Sequence, residues 1–346
     1  MSSSRFILHP LLDPYSCAGY PSGWMRNKPE NEVHFMVSSI KKKSLNKNCF
    51  QIWRRRSNDH TPGNDISELA CSLITRGDCD LNDPISSTDL TKKLVSKKRK
   101  INTTKPVIII CHGFASWRNQ MLLSNLAVDL SNAMDMHVLR FDFTGNGHSK
   151  GDWKYANYDQ DFKDLLSVVN FVENGLDCSI HCIIGHSQGS ASVLKYSSVC
   201  SKKEPPPCKY FVNLAGRYSV QNDFDPSRTF KPDKCIDLKQ QGYFTMTQRG
   251  EKEDRIRKVT QEQIDMRNRH DVSSTIEMLQ SNENVNILTI HGDSDNIVPI
   301  ENAYRFDKEI GNHKLYIVKN ADHNFNGLKY HDELVTAIAG FCLKKN

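Results

Sequence analysis

Apolar residues are unevenly distributed along this chain. Up to residue 105 they come in short bursts inside long polar stretches; from Pro106 onward short continuous runs alternate with stretches of helical spacing. Val107–Cys111, His137–Phe143, the run through Ile183 and Ile184, Tyr210–Leu214, Val285–Ile290 and Lys314–Val318 have the length of strands. Val107–Cys111 is apolar at every position, which suits a strand covered on both faces of a parallel sheet. Between these runs, Gln120–Ala133 carries Leu122, Leu123, Leu126, Val128 and Leu130, and Tyr158–Asn174 carries Phe162, Leu165, Leu166, Val169 and Val172 on one helical face. Ser190–Ser198, Glu301–Ile310 and Asp332–Leu343, the last with Leu334, Ile338 and Phe341, read as further helices. Strands alternating with helices imply parallel pairing through right-handed crossovers, so the pattern predicts an α/β fold with a mostly parallel, doubly wound sheet.

The rest of the chain divides around this core. Residues 1–32 are rich in Pro, Ser and Asn and read as a loosely ordered arm. His34–Ile40 and Cys49–Trp53 are β-type runs separated by a lysine-rich stretch, which predicts a leading β-hairpin over 33–56. Residues 57–104 are polar, carry Pro-Gly, Asn-Asp and a Lys/Arg run, hold little that could form a core, and read as a flexible insertion. The core then occupies 105–216 and 283–346. Between its two parts, 217–282 is charged, with scattered aromatics and two candidate capping boxes at Thr260–Gln263 and Ser274–Glu277, and is expected to form an inserted lid.

Composition refines this picture in three ways. The 346 residues suit one large α/β domain. The net charge of +6 is concentrated in basic runs at 41–43, 54–56 and 97–100, all ahead of the core; these read as solvated loops, with Lys97–Lys100 the candidate for nuclear access, and nothing else points to nucleic acid. Eleven cysteines, an odd number without a C-x-x-C pair, argue for buried reduced thiols and against zinc. The first residues lack the apolar core of a signal peptide, and no run approaches the ~20 apolar residues of a membrane span, so the expectation is a cytoplasmic protein without a membrane span.

The chemistry starts at Gly185-His186-Ser187-Gln188-Gly189, which falls where the Ile183–Ile184 strand gives way to a helix. A serine on such a corner is held in a strained backbone conformation with its hydroxyl projecting above the sheet, a nucleophile elbow. Gly185 and Gly189 leave out the Cβ atoms that would collide with strand and helix. Gln188 starts the helix, so its backbone N–H is unpaired and can donate to an oxyanion. A G-x-S-x-G pattern arises by chance in roughly one chain in ten of this length, so its partners must come from elsewhere. Ligands bind at the carboxyl ends of strands in open α/β sheets. There, Val285–Ile290 is followed by His291, Asp293 and Asp295, and Lys314–Val318 by Asp322 and His323. The order Ser187, then an aspartate, then His323 supplies a weak nucleophile, a carboxylate to orient the imidazole, and a base with pKa near neutrality. Spacing leaves Asp293 and Asp295 as competitors for the acid. His112-Gly113-Phe114 follows the first core strand, and the backbone N–H of Phe114 is the second candidate oxyanion donor; His112 and His291 read as residues that shape turns.

Residues from Pro106 to Leu343 resemble the α/β-hydrolase superfamily, and within it the serine-aminopeptidase-like hydrolases that include cinnamoyl and feruloyl esterases and monoacylglycerol lipases. The resemblance rests on His112-Gly113-Phe114, Phe141–Ser149, Gly185–Gly189, His291-Gly292 with Asp295 and Val298-Pro299, and Ala321-Asp322-His323. In such proteins the aspartate three residues before Val-Pro is the acid, which implies Asp295. Relatives carry a second glycine after the elbow where this chain has Ser190, so helix packing there is expected to differ. The insertion 57–104 has no counterpart in the compact bacterial esterases.

The resulting expectation is a serine hydrolase that cleaves a small-molecule carboxylic ester, aromatic or short-to-medium acyl, through an acyl-enzyme, with no cofactor or metal. A thioesterase, an acylglycerol lipase or an aminopeptidase would use the same triad. An aminopeptidase would be expected to place acidic side chains in the lid, where Asp223, Asp225 and Asp233 lie among many basic residues. The alternative of another class is a hydrolase-fold binding protein without turnover, which would have no need of Ser187, Asp295 and His323 together.

Overall fold

The computed structural model describes residues 32–38, 68–76, 101–218, 231–248, 254–269 and 272–343. Strands β1 (Glu32–Ser38) and β2 (Glu68–Ile74) precede β3 (Val107–Cys111), α1 (Met121–Met134), β4 (His137–Phe141), α2 (Tyr158–Asn170), β5 (Ile180–His186), α3 (Gly189–Cys200) and β6 (Tyr210–Leu214). A segment made of α4 (Pro232–Gln241), β7 (Tyr243–Gln248), β8 (Arg255–Thr260) and α5 (Gln261–Asn268) then leaves the sheet. The chain returns through α6 (Ser273–Gln280), β9 (Asn286–Gly292), α7 (Glu301–Glu309), β10 (His313–Val318) and α8 (Leu328–Cys342). The main sheet runs β1-β2-β4-β3-β5-β6-β9-β10. β2 is antiparallel to β1 and β4, and the pairs from β4 to β10 are parallel.

The all-apolar strands are explained by two cores. In β3, Val107, Ile109 and Cys111 face one layer, with Phe162 and Leu165 of α2 and Val193 of α3. Ile108 and Ile110 face the other, with Leu122, Leu126 and Leu130 of α1 and Leu334 and Ile338 of α8. A period-two strand with helices on both faces must be apolar at every position. Burying one such side chain contributes about 1.5–3 kcal/mol, so the five of β3 alone rival the net stability of a domain before entropy is subtracted.

The N-terminal part differs from expectation. The first strand of the hairpin is present as β1, but its partner is β2, Glu68–Ile74, which lies inside the stretch read as a flexible insertion. Cys49–Trp53 lies outside the described residues. The polar average over 57–104 conceals the run Leu69-Ala-Cys-Ser-Leu-Ile74, whose Leu69, Cys71 and Leu73 join one core and whose Ile74 joins the other. Buried charge locks these strands to β4. Arg140, in the middle of β4, pairs with Glu32 of β1, and Arg118 pairs with Asp142, all four side chains being fully buried. Arg140 Nη1 also donates to the Arg118 carbonyl at 2.9 Å, and Arg118 Nε to Ser72 Oγ of β2 at 2.9 Å. Buried ions persist only when paired and hydrogen-bonded, so this network dictates which strand lies beside β4.

The inserted segment has its own small core of Leu238, Phe244, Val259 and Ile264, closed by Tyr155 and Ala156 from the loop before α2. Thr260 and Gln263 form the expected capping box at the start of α5. The box expected at Ser274–Glu277 does not form: α6 starts at Ser273, two residues before the start that a Ser274 cap would give, because buried Val272 precedes it and its carbonyl accepts the N–H groups of Thr275 and Ile276. Val272, Ile276 and Leu279 pack into the main core, so α6 belongs to the body of the fold and the inserted segment ends before it, short of residue 282. Cys71, Cys111, Cys178, Cys182, Cys200, Cys208 and Cys342 are buried free thiols.

Candidate active site

Ser187 sits on the turn between β5 and α3 with φ of 52°, a left-handed conformation that a non-glycine residue adopts only under constraint. Its N–H is held by the Leu214 carbonyl at 2.8 Å. A Cβ on Gly185 would lie 2.7 Å from the Gly189 carbonyl carbon and from Ser190 Cα, and one on Gly189 would lie 2.5 Å from the His112 carbonyl oxygen. The two glycines therefore let strand, helix and the His112 turn converge on the serine. Ser190, where relatives carry glycine, is absorbed because its Oγ donates to the Gly185 carbonyl at 2.6 Å.

The other two side chains come from the ends of β9 and β10. Ser187 Oγ lies 2.9 Å from His323 Nε2, and His323 Nδ1 lies 2.7 Å from Asp295 Oδ2. A carboxylate only accepts, so Nδ1 carries the proton and Nε2 presents its lone pair to the serine hydroxyl. Asp295 Oδ1 accepts the N–H groups of Ile297 and Val298, both at 2.8 Å, and its side chain is fully buried. Burial alone would raise the pKa of this carboxyl. The hydrogen bonds from His291 and His323, the attraction of His323 when it is protonated and the Val298 N–H together outweigh burial and hold it well below the usual carboxylate range. Asp293, the competitor, is exposed and instead ties the two loops together by accepting the Asn320 N–H at 2.5 Å.

The remaining histidines take local roles. His112 Nδ1 donates to the Gly113 carbonyl at 2.8 Å, and its Nε2 accepts the Phe143 N–H at 3.0 Å. His291 Nε2 donates to the Val298 carbonyl at 2.8 Å and lies 3.3 Å from Asp295 Oδ2. His186, beneath the serine, donates from Nε2 to the His323 carbonyl at 3.0 Å. Burial and the neighbouring His323 push its pKa down to about 3, so it is neutral at physiological pH.

Two backbone groups lie near the serine. Gly113 packs against Ser187 so closely that a Cβ there would be 3.0 Å from Ser187 Cβ, which brings the following Phe114 to the same corner, and Gln188 is next in the chain. Among the described residues, neither the Phe114 nor the Gln188 N–H has a backbone acceptor. The Phe114 ring lies 5.0 Å from Tyr155 and 6.1 Å from Trp153, and the inserted segment lays Arg267 over Tyr155 and Arg257 over Trp153. Among the described residues no cluster of His, Cys, Asp and Glu is arranged to hold a metal ion.

Sequence reasoning missed one feature. The side chain of Gln188 donates from Nε2 to Oδ2 of buried Asp161 in α2 at 2.7 Å. Asp164, also buried, accepts from the Thr144 N–H at 2.7 Å, Thr144 Oγ1 at 3.0 Å and Gln160 Nε2 at 2.8 Å. Burial pushes the Asp161 carboxyl up to about 8 and that of Asp164 up to about 6. The available signal was register: Asp161 shares the helical stripe of Leu165, Val168 and Val172, an acid on an apolar face.

A sheet in this order, with the serine after β5, the acid after β9 and the histidine after β10, is the arrangement of an α/β hydrolase. The chain belongs to the serine aminopeptidase S33 family, whose sequence profile matches residues 102–327. It is similar to protein YDL057W of Saccharomyces cerevisiae, with 24% identity over 253 residues, 68% of this chain and 72% of that protein. Est1E from Butyrivibrio proteoclasticus, solved with ferulic acid bound, superposes with a TM-score of 0.55 at 20% identity, covering 80% of this chain and 95% of that one. A monoacylglycerol lipase from Paleococcus ferrophilus gives a TM-score of 0.50 at 15% identity, covering 69% of this chain and 95% of that one. At these identities the two structures share the fold with this chain. No helix among the described residues is long and apolar enough to cross a membrane.

Proposed function

We propose that the protein is a serine hydrolase that cleaves a carboxylic ester through an acyl-enzyme. The observation that carries this reading is the continuous row from Ser187 Oγ through His323 to Asp295, with contacts of 2.9 and 2.7 Å and with Asp295 Oδ1 held by the N–H groups of Ile297 and Val298. Ser187 Oγ attacks the ester carbonyl as its proton passes to His323 Nε2. Asp295 keeps the imidazole in the required tautomer and stabilises the imidazolium. The N–H groups of Phe114 and Gln188 hold the oxyanion, and one such donor is worth about 10²–10³ in rate. Collapse of the tetrahedral intermediate breaks the bond to the alcohol, which leaves with the proton from His323. Water then attacks the acyl-serine by the same route, and the acid and free Ser187 are regenerated.

The aromatic wall of Phe114, Trp153 and Tyr155 beside the oxyanion turn supports an aromatic or short-to-medium acyl group. Arginines stacked on that wall, rather than carboxylates, favour an ester over a substrate presenting a free α-amino group.

The test is labelling of wild-type and Ser187→Ala protein with a fluorophosphonate probe, beside hydrolysis of short p-nitrophenyl esters and methyl ferulate. The expected result is labelling and turnover in the wild type, with kcat lower by at least ~10⁴ in Ser187→Ala, since the members of the row act as a unit. Unaltered turnover in Ser187→Ala refutes the reading. Stoichiometric labelling without hydrolysis of any ester would favour the binding-protein alternative.

A further inference from the structure

The carboxyl of Asp161 takes no part in the row of Ser187, His323 and Asp295, yet it grips the residue that follows the nucleophile. It lies in the first turn of α2, 5% exposed, and accepts the Gln188 carboxamide at 2.7 Å. Gln188 is thus anchored at both ends. Its backbone follows Ser187, whose N–H is fixed to Leu214 at 2.8 Å, and its side chain is fixed to another helix. If that backbone N–H serves the oxyanion, as the serine-hydrolase reading requires, the carboxamide contact sets the orientation of the peptide that donates.

A charged carboxylate at this position would work against the reaction. Among the described residues no lysine or arginine pairs with Asp161. The titratable groups facing it are buried Asp164 one turn further along α2, Tyr158 in its own turn, and the Cys111 thiol at the end of β3. None of these brings a positive charge; Arg267 and Arg217 act on Tyr158, while the charge that acts on Asp161 is that of Asp164. A negative charge next to the place where an oxyanion develops raises the energy of that oxyanion, and does so most strongly where water is excluded. A neutral carboxyl has no such effect and still accepts the carboxamide through its carbonyl oxygen. Burial favours this form; the Gln188 hydrogen bond opposes the shift and neighbouring Asp164 adds to it.

We infer that Asp161 is a positioning residue, which holds Gln188 for oxyanion stabilisation while it is a neutral acid and whose ionisation slows the enzyme at alkaline pH. The inference rests on the serine-hydrolase reading.

The experiment measures kcat and KM against pH with a p-nitrophenyl ester for wild type, Asp161→Ala, Asp161→Asn and Ser187→Ala. An infrared difference spectrum of wild type minus Asp161→Asn is recorded at pH 7. Asp161→Ala is expected to lose about tenfold to a hundredfold in kcat with little change in KM, as a displaced catalytic dipole does. Asp161→Asn keeps an acceptor for Gln188 and rescues most of that loss. It also cannot ionise, so the roughly tenfold fall in wild-type kcat expected one pH unit above about 8 is absent from it. The infrared spectrum should contain the carbonyl stretch of one protonated carboxylic acid.

The inference is overturned by an alkaline fall in Asp161→Asn equal to that of wild type, by wild-type kcat in Asp161→Ala, or by a missing infrared band. When turnover depends on Ser187, those outcomes remove this inference alone. Turnover that survives in Ser187→Ala removes the serine-hydrolase reading and this inference with it.

Discussion

Replacing Gly189 by alanine separates the demands of the elbow from those of helix stability. Gly189 is the first residue of α3, and its φ does not lie in the left-handed region, so alanine can adopt its backbone conformation. The obstacle is space. The new Cβ would lie 2.5 Å from the His112 carbonyl oxygen and 3.0 Å from that of Cys111, whereas ordinary contact begins at 3.4 Å. Both obstructing atoms are backbone, so no side chain can swing aside, and the His112 carbonyl must retreat by about 0.9 Å. His112 leads directly into Gly113 and Phe114, so the proposed oxyanion donor moves with it. A displacement of about 1 Å at a catalytic group can cost ~10² in rate, and that is the expected fall in kcat for hydrolysis of a p-nitrophenyl ester. Stability should change much less. Overpacking costs about 1–3 kcal/mol, while alanine gains about 1 kcal/mol over glycine in a helix, leaving a net loss of no more than about 2 kcal/mol in urea unfolding. Gly340→Ala in α8, where a Cβ meets nothing within 4 Å, is the control and should keep wild-type kcat with equal or slightly greater stability. A fully active Gly189→Ala enzyme would refute the placement of the oxyanion turn against the elbow.

Two further expectations concern the body of the fold. Glu32→Ala strands the fully buried Arg140 guanidinium and should cost about 3–5 kcal/mol in urea unfolding; a loss under about 1 kcal/mol would mean that β1 is not what neutralises Arg140. His186 has a folded-state pKa depressed from 6.5 to about 3, so the unfolded chain binds the extra proton and stability is lost as pH falls through that window. His186→Gln, which keeps a donor for the His323 carbonyl, should flatten the acid side of the stability curve between those values, and an unchanged slope would contradict a buried neutral His186.

The features legible in the sequence were those determined by neighbours along the chain. Continuous apolar runs announced strands covered on both faces, and the order of runs and helical stripes implied a parallel sheet. Gly185 and Gly189 marked the elbow because a steric demand two residues either side of Ser187 admits only glycine. His323 could be singled out as a candidate because a strand end is a local landmark. Residues paired from distant parts of the chain were not legible in this way. β2 was hidden in a polar stretch because its role depends on β1 and β4, and Arg140 in mid-strand makes sense only beside Glu32, 108 positions earlier. Asp293 and Asp295 are indistinguishable by local chemistry; the one with its carboxylate turned to His323 was decided by how the β9 turn folds over Val298. Asp161 and Gln188 lie 27 residues apart on two helices, and their contact exists only because both helices pack on the same side of the sheet. Periodicity and glycine sterics act over one turn or one strand. Ion pairing, protonation state and hydrogen-bond partnership depend on desolvation by whatever surrounds a group in space, and that environment comes into being only when the sheet and its two layers of helices are assembled.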